Sequence, residues 1–169
     1  MAPMRLRGPW SRFGLAVALA VFVVDRTHKG WMLGVYDIAE KGSVKLAPFF
    51  DLVLVWNRGI SYGLFQQDSE FGRWLLILFV VAVLGLLTVW LAAARARLAA
   101  LALGLVIGGA ASNLVDRLIY GAVADFFHFH VYGYSWYVFN IADAAIVAGV
   151  AGLLYDSFFG RHKSASNGD

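Results

Sequence analysis

Residues 74–94 read WLLILFVVAVLGLLTVWLAAA, an uncharged apolar run closed by Arg73 and Arg95. A helix rising about 1.5 Å per residue covers about 31 Å over such a run, the thickness of a hydrocarbon core. The run predicts a membrane-spanning helix. Of 169 residues, 60% are apolar and 15% charged, with a mean hydropathy of +0.69. Soluble domains run about 45–50% apolar and about 25% charged. The composition therefore argues against a soluble globular domain, and more strongly against disorder. The net charge of +3 comes from basic residues that are scattered or terminal, so no nucleic-acid partner is expected. The absence of cysteine removes disulfides, thiol nucleophiles and thiolate metal sites together.

Three further runs extend the pattern. Residues 98–115 are uncharged and rich in small side chains, and 137–159 are apolar but interrupted by Asn140, Asp143 and Asp156. The first run, 13–24, is short and follows Arg5, Arg7 and Arg12, which also describes a cleaved secretory leader. Its small-x-small patterns, Ala16-Val17-Ala18 and Ala18-Leu19-Ala20, lie inside the apolar run, where a cleavage site should not be. Apolar residues resume at Trp31-Met32-Leu33, so 13–33 is read as one retained span. Four spans (13–33, 74–94, 98–115 and 137–159) put both termini on one side. Short, densely basic flanks place that side in the cytoplasm. On the far side, 49–56 reads as an extended strand, Asn57-Arg58-Gly59 as a turn, and 60–67 as a short interfacial helix. Residues 131–137 read as an aromatic belt and 161–169 as a disordered polar tail. The expectation is one domain over 1–169: an all-α membrane protein with four transmembrane helices, a small extracytoplasmic β-strand region and a short interfacial helix.

Charged groups at membrane depth cost about 2.5–3.5 kcal/mol each on insertion scales, so those that persist are paired, solvated or functional. Asp25 and Lys29 are i, i+4, as are Asn113 and Arg117; Asn140 and Asp143 are i, i+3. With Asp116 and Asp125 they gather in one outer layer. Gly104 and Gly108 form a GxxxG face, and Ala145, Ala148, Gly149 and Gly152 a second small-residue face, which would let backbones approach closely. Ser61, Ser112 and Ser135 have no obvious His-and-acid partners. His128 and His130 share one face of a strand and with Asp125 could hold a metal, but paired rings beside an aromatic belt are more often interfacial. No metal or cofactor is expected. Paired carboxylates remain. Two aspartates sharing a site keep one proton between them, so one can take a proton from water while the other polarises a carbonyl. Asp125 and Asp143 fit that chemistry, and they fit the proton sites of a small carrier equally well. A scaffold whose polar layer only joins helices is a third reading.

Four ordered motifs then carry a resemblance. They are Asp25-Arg26-Thr27-His28-Lys29; Asn57-Arg58-Gly59-Ile60-Ser61-Tyr62-Gly63; Gly108-Gly109-Ala110-Ala111-Ser112-Asn113-Leu114-Val115-Asp116-Arg117 with Gly121-Ala122-Val123-Ala124-Asp125-Phe126; and Phe139-Asn140-Ile141-Ala142-Asp143. The chain resembles the lipoprotein signal peptidase (type II signal peptidase) family over nearly its whole length. Arg26 stands where that family usually has Gln, His28 where it has Ser or Thr, Ser112 where it has Gly, and Ala124 where Val is common. The resemblance implies an aspartic endopeptidase of the bacterial cytoplasmic membrane with four helices. It would cut diacylglyceryl-modified prolipoproteins just before the lipidated lipobox cysteine. Asp125 and Asp143 would be the catalytic pair. Asn57, Gly59, Asn113, Arg117, Asn140 and Ala142 would line the substrate site, and Asp25, Lys29 and Asp116 would brace it. The strand region and interfacial helix would form a cradle and lid. Implied partners are prolipoprotein substrates, membrane lipids and globomycin-type inhibitors, with the chain a monomer.

Overall fold

A computed structural model describes residues 8–59 and 70–160. The interfacial helix expected at 60–67, with Ser61, the leader arginines Arg5 and Arg7, and the tail expected at 161–169 lie outside the described residues. Helix α1 (Ser11–Gly34) is followed by the single turn α2 (Ile38–Lys41), and strands β1 (Val44–Ala47) and β2 (Phe50–Asn57) come next. Helices α3 (Glu70–Ala92) and α4 (Arg97–Tyr120) follow, then β3 (Val123–Val131) and β4 (Tyr134–Ser135). Helix α5 (Ile141–Tyr155) runs on into a π-helical turn, Asp156–Gly160.

Among the described residues, three helices are long and apolar enough to cross a membrane: Glu70–Ala92, Arg97–Tyr120 and Ile141–Phe159. Helix α1 is one unbroken helix of 24 residues enclosing the expected 13–33 span, about 36 Å long. Arg12, Asp25, Arg26 and Lys29 make it more charged than the other three. Outward-facing apolar side chains suit lipid: on α3, Phe71 is 80% and Leu86 72% exposed.

Three expected boundaries move by four residues or more, the first being α3, which is already helical at Glu70 rather than 74. Helix α4 continues past 115 to Tyr120 and stops at Gly121, whose φ of 73° closes the helix in the left-handed region that glycine enters freely. The last helix begins at Ile141 rather than 137. Asn140 is its N-cap, and Phe139 is bridged to Phe127 of β3, so 137–140 belong to the sheet side of the junction.

Helix α4 is the hub, because its glycines remove the side chains that would hold its neighbours away. A Cβ on Gly104 or Gly108 would lie 2.4 Å from the carbonyl oxygens of Gly14 and Ala18 on α1. On the α5 side, Gly109 lies against the Ala142 carbonyl and Gly149 against that of Ala102. Leu91, Ala94, Ala100 and Leu103 form the core at one end of the bundle. At the other, Met32 and Ile38 pack with Ala124 and Phe126 of β3, which joins the sheet to the helices.

The four strands lie in the order β1-β2-β3-β4, each antiparallel to the next. Asp51 opposes His128, Leu52 opposes Phe127 and Val55 opposes Asp125, with an irregularity between Leu52 and Val55. Three residues on β2 there match two on β3, so an extra residue inverts the facing of everything beyond it. Asn57, opposite Val123, thereby shares a face with Asp125, while Asp51 and His128 share the other.

Candidate active site

At the sheet end of the bundle, four ionic side chains lock α1 to α4. Lys29 is wholly buried, with Nζ 2.9 Å from Asp25 and 2.7 Å from Asp116, both also wholly buried. Arg26, one residue after Asp25, closes on the other oxygen of Asp116. Two cations thus face two carboxylates, and each of the four carboxylate oxygens has at least one partner. The Ser112 hydroxyl donates to Asp25 at 2.6 Å, the Ala142 backbone N–H donates to Asp25 at 2.9 Å, and the Ala124 N–H donates to Asp116 at 3.2 Å. Desolvating charge is costly unless the charge is both paired and hydrogen-bonded, and both carboxylates here are paired and hydrogen-bonded.

Lys29 also donates to Asn113 Oδ1 at 2.8 Å, and Asn113 Nδ2 donates to Asp143 Oδ1 at 2.8 Å. The brace therefore continues into the two aspartates singled out in the sequence. Asn140 and Asp143 form a reciprocal capping box at the start of α5: the Asp143 N–H donates to Asn140 Oδ1 at 2.9 Å, and the Asn140 N–H to Asp143 Oδ2 at 3.2 Å. The Asn140 side-chain amide meanwhile donates to Asp125 Oδ1 at 2.6 Å. One asparagine thus holds both carboxylates. Asn57 Nδ2, on the shared sheet face, donates to Asp125 Oδ2 at 3.2 Å and to the Tyr137 hydroxyl at 2.5 Å.

Burial is the main cause, and the neighbouring Asp143 charge the next, of a shift that pushes Asp125 up to about 7, against the bonds from Asn57 and Asn140. Burial and the charges of Asp125 and Asp143 likewise hold the Tyr137 hydroxyl above its ordinary range, so it stays protonated. A cleft of about 220 Å3 opens beside the pair. Asn57, Asn113, Arg117, Tyr137 and Asp143 line it, along with apolar side chains of α3 and α5 such as Leu76, Phe79 and Ile146. Arg117 donates to the Gly59 carbonyl at 2.8 Å, fixing the end of the turn after β2.

A family model described as Signal peptidase (SPase) II matches residues 17–159. The chain belongs to the signal peptidase II family. It is 53% identical over 151 residues to a lipoprotein signal peptidase of Nitrobacter hamburgensis, covering 87% of this chain and 92% of that one. A lipoprotein signal peptidase of a Methylobacterium species is also 53% identical, over 150 residues, covering 89% and 91% of the two chains. A bacterial membrane enzyme solved by the in meso method at 2.3 Å resolution superposes with a TM-score of 0.70 at 23% identity, covering 93% of this chain and 92% of that one. At that identity the likeness concerns the fold.

The departures from the usual signal peptidase II motifs now have physical places. Arg26 supplies a second cation to Asp116, and the Ser112 hydroxyl fills a lone pair of Asp25 instead of facing the cleft. His28 packs against the rings of Phe126 and Phe127, at 5.5 and 5.3 Å between centroids, while Lys29 is held by other groups. Ala142, expected at the substrate site, is wholly buried between Asp25 and Gly109 and acts as a close-packing point of α5 on α4.

The structure corrects two readings of the histidine region. His128 and His130 do share a face of β3, but Asp125 lies on the opposite face, three residues from His128. The carboxylate beside the histidines is Asp51, which sequence reasoning passed over. Ser135 does meet a histidine, with its hydroxyl 2.5 Å from His128 Nε2. Tyr137 was missed as a site residue, since nothing in a run of belt aromatics distinguishes the one whose hydroxyl reaches Asn57. In the segment expected to form the belt, Tyr132, Tyr134 and Trp136 are 99%, 83% and 64% exposed.

Proposed function

We propose that this chain removes signal peptides from diacylglyceryl-modified prolipoproteins, cutting just before the lipidated lipobox cysteine as an aspartic endopeptidase. The observation that carries the proposal is Asn140, whose amide holds Asp125 while its backbone N–H holds Asp143. Family membership supports the substrate class, and the burial of Asp125 and its shift to about 7 support a pair sharing one proton near neutrality.

The ionised carboxylate takes a proton from water, and the resulting hydroxide adds to the scissile carbonyl. The protonated partner donates to the carbonyl oxygen as negative charge develops there. Collapse of the tetrahedral intermediate breaks the C–N bond, and the proton taken from water passes to the leaving amine. Asn57, Asn113 and Arg117 hold the extended lipobox backbone by hydrogen bonds from the cleft wall, and Asn140 keeps the two carboxylates in register. Asp25, Lys29 and Asp116 fix the helices that carry them.

The chain works as a monomer with four spans, α1 being the fourth, in the bacterial cytoplasmic membrane with both termini cytoplasmic. A substrate carrying a lipid and a membrane-spanning signal helix enters sideways from the bilayer and meets the aspartates at the outer boundary. Globomycin-type inhibitors occupy the same cleft. The test is processing of a diacylglyceryl prolipoprotein by Asp125→Asn and Asp143→Asn variants that retain wild-type melting behaviour in detergent. Cleavage should be lost in both. Cleavage at the wild-type rate in either removes that aspartate from the catalytic pair.

A further inference from the structure

We propose that Asp51, His128 and His130 form a binding site for a divalent transition-metal ion of the zinc class, on the sheet face turned away from Asp125. Each residue brings one ligand atom within 4.8 Å of the others, which among the described residues makes them a candidate metal cluster. The cluster follows from β-sheet geometry. Asp51 and His128 are direct cross-strand partners, and His130 lies two residues further along β3 on the same face. The two imidazole rings are 5.2 Å apart between centroids.

A second observation points to a cation. Asp51 is only 8% exposed, with Oδ2 3.0 Å from His130 Nε2, yet its Oδ1 is buried with no hydrogen-bond partner. The contact with His130 uses one carboxylate oxygen and leaves the other desolvated and unsatisfied. A metal ion takes that lone pair directly. The donor set selects the ion class: two imidazoles and one carboxylate suit zinc and its neighbours, whereas calcium and magnesium favour all-oxygen sites. Three protein ligands leave a fourth position for water. Zinc bonds of about 2.0–2.2 Å set ligand atoms about 3.3 Å apart, so the half-exposed histidines need only side-chain rotation to close the site. The Ser135 hydroxyl on His128 Nε2 anchors one nitrogen of that ring and leaves the other for the metal.

A metal here would tie β2 to β3 just beyond the extra residue that turns Asn57 towards Asp125. It plays no part in the aspartate chemistry, so its failure leaves the peptidase proposal untouched. The test is titration of the full chain in detergent with zinc chloride, and with cobalt chloride as a spectroscopic probe. One ion should bind per chain, raising the melting temperature and, for cobalt, producing visible ligand-field absorption. His128→Gln and His130→Gln should each weaken zinc binding by about tenfold or more, while His28→Gln leaves it unchanged. Asp51→Asn should weaken it similarly; should that variant fail to fold, the half-exposed histidine variants decide. The proposal is overturned if the folded wild-type chain binds neither ion, or if it binds zinc equally tightly without His128 and His130.

Discussion

Replacing Lys29 with methionine keeps most of the side-chain volume and deletes the buried charge. Lys29→Met leaves Asp25 and Asp116 without the ammonium now 2.9 and 2.7 Å away, both wholly buried. Removing one partner of a buried ion pair costs about 3–5 kcal/mol, because the orphaned charge has lost its water and gained nothing. The lower end applies here. Asp116 keeps Arg26 and the Ala124 N–H, and Asp25 keeps Ser112 and the Ala142 N–H. The expected loss is therefore about 3 kcal/mol. Adding Asp25→Asn to Lys29→Met removes one orphaned charge and should recover part of it. Equilibrium unfolding in mixed micelles, titrated with denaturing detergent, measures both. Activity should fall too, since Lys29 anchors the asparagine that holds Asp143. A Lys29→Met variant destabilised by less than about 1 kcal/mol would refute the claim that this cation balances the layer.

The other predictions concern the site and its packing. Asp125 is pushed up to about 7, so prolipoprotein cleavage should decline as pH rises above about 7 and the pair loses its shared proton; a rate that keeps rising through that range contradicts the dyad. The same shift makes the folded chain bind that proton more tightly than the unfolded chain. Its contribution to stability should therefore fall from the ordinary carboxylate range up to about pH 7, and Asp125→Asn should flatten this slope in melting curves. Tyr137→Phe removes the hydroxyl from Asn57 and should cost about 1 kcal/mol of stability and slow cleavage through a looser Asn57; kinetics and melting read both. Gly108→Ala puts a Cβ 2.4 Å from the Ala18 carbonyl and should cost about 1–3 kcal/mol by forcing α1 from α4, whereas Gly30→Ala, with open space around it, should cost little.

The membrane helices and the small-residue seams were legible because they are local in sequence. Residues 74–94 announce a helix through unbroken apolarity, and Gly104 and Gly108 lie on one face by helical period alone. Pairing within one element was legible for the same reason: Asp25 with Lys29, and Asn140 with Asp143. The boundary at Ile141 was less so, because a capping asparagine after an aromatic run looks like more of the same span. Partners distant in sequence were not legible as contacts. Asp116 meets Arg26 across 90 positions, and Tyr137 meets Asn57 across 80.

The extra residue in β2 marks the division most clearly. The alternation of β3 alone puts His128 and His130 together and Asp125 on the other side, by the two-residue repeat of a strand. Which β2 side chains join each set depends on the pairing register, and one extra residue between Leu52 and Val55 reverses it, sending Asn57 to Asp125 and Asp51 to the histidines. Sequence thus determines the helices, the candidate acids and the face each side chain takes within its own element. Only the tertiary structure decides which faces meet, because strand register and helix contact are set by packing across the chain.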